Sequence, residues 1–171
     1  LEKDPLKWSS FELANRAMYM QRVHFKLQEK TSDISRYPDD VELSDLLEKI
    51  DYHTADQIIQ DAYSWRPFQL AFLLMSIESV TDETCRERDV VDLIWFPTGG
   101  GKTEAYLGLT ALTIFYRRLN NLDTSSGTTV IMGYTLRLLA AQQFTRASTL
   151  MCACEDIRCD SISKKPKNKV Y

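Results

Sequence analysis

Residues 90–103 read Val90-Val91-Asp92-Leu93-Ile94-Trp95-Phe96-Pro97-Thr98-Gly99-Gly100-Gly101-Lys102-Thr103. The first seven are short, β-branched and aromatic, and a proline bounds them, the pattern of a buried strand. Three glycines then let the backbone turn tightly and aim several N–H groups at one point, forming an anion nest. Residues 103–119 have helical composition broken only by Gly108, and they end in Arg117 and Arg118, cations that suit the negative end of a helix dipole. The nest therefore sits at a helix N-terminus, where unpaired N–H groups favour phosphate. Lys102 is placed to reach the β/γ-phosphates of a nucleotide, and the Thr103 hydroxyl to take a place on the bridging Mg²⁺.

The longer Walker A spacing puts its first glycine on Phe96, so that form does not fit. The shorter form Pro-Thr-Gly-x-Gly-Lys-Thr fits without a mismatch. The bland alternative is a glycine-rich turn that happens to precede a Lys-Thr pair, and the strand before and helix after argue against it.

Working outward, Arg66-Pro67-Phe68-Gln69 opens another apolar helix, with proline in the first turn where its missing N–H costs nothing. Downstream, a turn over 120–127 leads to a second expected strand at 128–132 and a helix from about 136 to 154. Strand, glycine loop, helix, strand, helix predicts an α/β fold with a parallel sheet. Upstream, Trp8, Phe11, Leu13, Ala14, Ala17 and Met18 recur at helical spacing, with Ser9 and Ser10 as N-cap choices. Val41, Leu43, Leu46, Leu47 and Ile50 suggest a second short helix. Neither segment carries recognisable chemistry. The chain thus divides into a helical extension at 1–62 and a nucleotide-binding portion at 63–171.

Composition narrows the function classes. The 171 residues are 44% hydrophobic and 26% charged, with a net charge of −3, ordinary for a folded domain. No overall basic field advertises nucleic acid, so such a partner must be argued from local residues. The longest apolar run, 70–75, is far too short to cross a bilayer. Four cysteines in a chain this long do not form a secreted disulfide framework, and no signal pattern opens it. The simplest expectation is a piece of a cytoplasmic protein. The spacing of Cys152, Cys154 and Cys159 lacks the usual metal-binding gap, so they read as buried or free thiols. His24 and His53 read as surface or interface residues, the run 164–169 as a solvated basic loop, and Trp8, Trp65 and Trp95 as core.

Three blocks in order resemble the start of the first RecA-like lobe of a superfamily 2 helicase or translocase, over residues 66–153. Arg66-Pro67-Phe68-Gln69 resembles the block whose glutamine reads the adenine edge. The loop supplies Thr98, Gly99, Gly100, Gly101, Lys102, Thr103 and Glu104 as the ATP·Mg²⁺ contacts, with Lys102 and Thr103 in the catalytic roles. Thr135-Leu136-Arg137-Leu138-Leu139-Ala140-Ala141-Gln142 partly resembles motif Ia, which implies contacts from Thr135 and Arg137 to a nucleic-acid backbone. On the residues alone, the alternatives are an incidental Gln69 at a helix start and an exposed Arg137 on a core helix. The wording of residues 95–108, with 134–139 and Gln143-Phe144-Thr145-Arg146-Ala147, resembles the helicase component of bacterial DISARM anti-phage systems. That resemblance implies DNA as partner, a second RecA-like lobe, defence-system partner proteins and no membrane.

A motor of this kind needs an Asp-Glu pair after a later buried strand and arginines from a second lobe. Glu155-Asp156 follows a helix and does not qualify, so this chain alone is expected to bind nucleotide weakly and hydrolyse it poorly. Two rivals stay open: a P-loop enzyme of another class, and a nucleotide-sensing or protein-docking module without motor activity.

Overall fold

The computed structural model describes residues 3–32, 64–97, 99–121, 125–134 and 137–163. Among them are four α-helices: α1 (Pro5–Ser32), α2 (Pro67–Thr81), α3 (Lys102–Asn120) and α4 (Arg137–Ser163), with a 3-10 turn at Arg86–Asp89. The helix expected near residues 41–50, His53 and the basic run 164–169 lie outside the described residues.

The start of α1 falls earlier than Ser9 and Ser10. Asp4 is its cap, its Oδ1 accepting from the backbone N–H of Leu6 at 3.0 Å and of Lys7 at 3.2 Å. Pro5 takes the first helical position, where no N–H is needed. Ser10 is instead buried and donates its hydroxyl back to the Leu6 carbonyl at 2.7 Å. The face that follows presents Ala14, Ala17 and Met18 to the core. Small residues at 14 and 17 let neighbouring helices approach closely, and α1 packs along both α3 and α4.

One hydrophobic core joins all four helices. Leu73 and Ile77 come from α2, Leu107, Ala111, Leu112 and Phe115 from α3, and Leu150, Ala153, Cys154 and Ile157 from α4. Only one side of α2 is buried, since Leu74 and Met75 face out. Surface pairs join the edges: Lys7 Nζ to Glu78 at 2.7 Å and Arg16 to Asp160 at 3.1 Å. Each contributes little beyond the core, about 1 kcal/mol or less.

The expected parallel sheet is absent among the described residues. Residues 90–97 and 128–134 carry no strand, and the described architecture is helical. Val91, Leu93 and Trp95 are 82–92% exposed, and Ile131 is 90% exposed, so Trp95 is not a core residue either. The physical reason is that β-branched composition describes what a pleated, half-buried surface accepts. A strand also needs a neighbour to take its N–H and C=O groups, and neither segment has one among the described residues. Residues 126–129 are instead held by a side chain. Arg117, at the end of α3, donates to Thr129 Oγ1 at 2.7 Å and to the carbonyls of Ser126 and Thr128 at 3.2 and 3.3 Å.

Candidate functional site: the glycine loop at the head of α3

The loop's shape follows from its glycines. Gly99 and Gly101 have φ of +79° and +87°, a left-handed conformation that side chains resist. A β-carbon on Gly100 would lie 2.9 Å from the Pro97 carbonyl oxygen, whose bond from the Gly100 N–H (3.1 Å) closes the turn. Gly101 is the N-cap residue of α3 and has no side chain to satisfy the first N–H groups of that helix. N–H groups at a helix start of this kind are ones that water or an anion can take. Space above Gly99 is open, with nothing within 4 Å of the point a β-carbon would occupy.

Lys102 folds back over this turn. Its Nζ donates to the Phe96 carbonyl at 2.5 Å and the Pro97 carbonyl at 2.9 Å, so the ammonium closes the loop on itself. Thr103 follows, half-buried in the first turn of α3. Beneath the loop, the Phe96 ring stacks on Phe68 of α2 with centroids 3.9 Å apart.

The start of α2 grips the same loop from the side. Gln69 is buried, and its amide is used at both ends. Oε1 accepts from the Arg66 N–H at 2.8 Å, while Nε2 donates to the Gly101 carbonyl at 2.7 Å. Arg66 adds a guanidinium bond to the Gly100 carbonyl at 2.7 Å. Hence Arg66 and Gln69 converge with Gly99, Gly100, Gly101, Lys102, Thr103 and Glu104 on one loop, although the bonds span 32 and 34 positions of the chain. In this conformation Gln69 serves as a brace of the loop, and an adenine edge would have to compete with the Gly101 carbonyl for it. Thr98 and Thr135 lie outside the described residues, and Arg137 is the first residue of α4.

Sequence reasoning missed a second layer. The Glu104 carboxylate is hydrogen-bonded and ion-paired to Arg146 of α4, and Arg22 of α1 stands 3.8 Å from the same oxygen. Phe25 lies under both guanidinium groups, 5.9 Å from that of Arg22 and 5.6 Å from that of Arg146. These residues sit on three helices, and no spacing in the sequence announces them.

The arrangement suits a phosphate chain: a nest of left-handed glycines, uncapped N–H groups at a helix start, and a lysine one residue on. Among the described residues no cluster of three His, Cys, Asp or Glu side chains is placed to bind a metal.

The remaining titratable candidates lie elsewhere. Burial lowers the pKa of His24. Cys152 and Cys159 are exposed and Cys154 is buried, and none of the three is in a disulfide. Desolvation pushes the Cys154 thiol up to about 12, which keeps it protonated and unreactive. Iodoacetamide at pH 8 is expected to label Cys152 and Cys159 well before Cys154, read by peptide mass spectrometry. Equal labelling rates would mean that α4 is not packed as described.

Among known proteins, the chain is 47% identical over 107 residues, 60% of its length, to the DISARM protein DrmA of Bacillus paralicheniformis. The chain spans about a tenth of that relative's length, the matched stretch being 10% of it. No family model matches the chain, and no solved structure matches it. Among the described residues no helix is long and apolar enough to cross a membrane.

Proposed function

We propose that this chain is the ATP·Mg²⁺-binding portion of a DISARM-type anti-phage defence protein that couples ATP hydrolysis to movement on DNA, as a helicase or translocase in the cytoplasm. The observation that carries the reading is the glycine loop: two left-handed glycines, an uncapped helix start and Lys102 poised over the turn. The likeness to DrmA supports the defence setting. In this reading Lys102 leaves the Phe96 and Pro97 carbonyls and moves to the β/γ-phosphates. Thr103 takes the metal, and the α3 N–H groups hold the phosphate oxygens. Arg137, at the head of α4, contacts a DNA phosphate. In this reading the acidic pair and the arginines that the chemical step also needs come from a longer protein, such as the relative of which this chain spans about a tenth, and from its defence-system partners.

Equilibrium titration of the chain with Mg·ATP, tripolyphosphate and adenosine tests this. Mg·ATP and tripolyphosphate are expected to compete for one site, chelation of Mg²⁺ to weaken ATP, and adenosine to bind far more weakly than either. Adenosine binding as tightly as ATP, or no binding of any of the three, would sink the phosphate-loop reading. Turnover of ATP by the chain alone would overturn its dependence on residues elsewhere in the parent.

A further inference from the structure

Glu104 presents an electrostatic problem. It lies in the first turn of α3, and one of its carboxylate oxygens is 3.4 Å from the point a Gly101 β-carbon would occupy. An acid suits a helix start in general. Here, however, it sits at the rim of the nest where a phosphate chain would lie, and two anions at such short range repel. The structure answers with the two arginines described above. Arg146 engages the carboxylate directly, Arg22 stands 3.8 Å away, and the side chains of Arg146, Glu104 and Arg22 are only 15%, 22% and 31% exposed. Screening by water and salt is weak for a group this covered.

We propose that Arg146, backed by Arg22, is a positioning residue for the phosphate site: it pairs with one oxygen of the Glu104 carboxylate and neutralises that charge at the rim of the loop, so that phosphate can enter. Arg146 touches no phosphate itself and acts through Glu104. The inference rests on the phosphate-loop reading and adds to it a requirement from α1 and α4, helices outside the loop. It also assigns Glu104 a role other than ligand, as the anion whose charge Arg146 and Arg22 offset.

The proposal predicts an unusual sign in a double-mutant cycle. Arg146→Gln leaves Glu104 an uncompensated anion at the loop and lowers affinity for both tripolyphosphate and Mg·ATP by roughly tenfold. Adding Glu104→Gln removes the anion, and affinity returns to within about threefold of the parent chain. Arg146→Lys keeps the positive charge and most of the affinity. Arg22→Gln, on the more exposed partner, gives a smaller loss in the same direction that Glu104→Gln likewise reverses; this pair serves if Arg146→Gln does not fold, as judged by its thermal melt. A merely structural role for Arg146 gives no rescue, because the double variant has lost both halves of the contact.

Three results decide the matter. Rescue by the second substitution supports the neutralising role. Affinity unchanged in Arg146→Gln, or a double variant as weak as the single one, overturns it while leaving the loop reading intact. Absence of tripolyphosphate binding by the parent chain overturns the loop reading and this inference with it.

Discussion

We expect Lys102→Ala to lower the affinity of this chain for Mg·ATP by roughly tenfold to a hundredfold, the range for losing a hydrogen bond to a charged group. The Lys102 ammonium contacts the Phe96 and Pro97 carbonyls at 2.5 and 2.9 Å. Those carbonyls are neutral acceptors, whereas a triphosphate offers full negative charge at the same rim, so exchange toward phosphate is favoured. Because the present bonds are exposed, their loss is expected to cost about 1 kcal/mol or less of stability. Calorimetric titration and a thermal melt on the same sample therefore separate the two effects: affinity collapses while the midpoint barely moves. Lys102→Arg is expected not to restore binding, since a planar fork does not replace a compact ammonium in a tight loop. Affinity unaltered by Lys102→Ala would show that the loop is only a turn.

How legible the structure is in the sequence differs from element to element, for physical reasons. Residues 103–119 read as a helix and α3 runs Lys102–Asn120, because glycine before and basic residues at the end mark both boundaries. Pro67 marks the start of α2 for the same kind of local reason. The end of α4 lies well beyond residue 154, where periodicity alone would stop it. Ile157 is buried and Arg158 bonds Glu155 at 2.7 and 2.5 Å one turn back, so core and surface contacts carry the helix on to Ser163. The two expected strands fail because composition describes a segment, whereas a strand is a relation between segments. At the site, the loop itself is legible, since its glycines and lysine are adjacent in sequence. The bracing is not. Gln69 reads as facing a base, yet its amide holds the Gly101 carbonyl, and Glu104 meets Arg146 across 42 positions. Such contacts are set by how helices cross, which no local spacing encodes.

Gly108 makes the same point with the largest stability effect. In the sequence it is a helix breaker inside α3, worth about 1 kcal/mol against alanine. In the fold it is the place where α3 meets Trp65 and α2. A β-carbon there would lie 2.6 Å from Trp65 Cη2 and 2.7 Å from Leu73 Cδ1. The leucine methyl is the tip of a flexible side chain, but the indole is not free to retreat. Its Nε1 donates to Asn15 Oδ1 of α1 at 2.6 Å, and the next residue, Arg66, holds the Gly100 carbonyl. For Gly108→Ala, overpacking of about 1–3 kcal/mol is partly offset by the gain in helix propensity, leaving a modest net loss. Gly108→Val adds two methyl groups to the clash and brings no comparable gain, so we expect a loss of about 3 kcal/mol or more. For a chain of this size that lowers the thermal midpoint by roughly 6–12 °C. Displacing Trp65 also pulls on Arg66 and Gln69, so phosphate affinity is expected to fall with stability in the valine variant but not measurably in the alanine one. A valine variant that melts with the parent chain would show that Trp65 does not pack on α3, and the brace between α2 and the loop would lose its anchor.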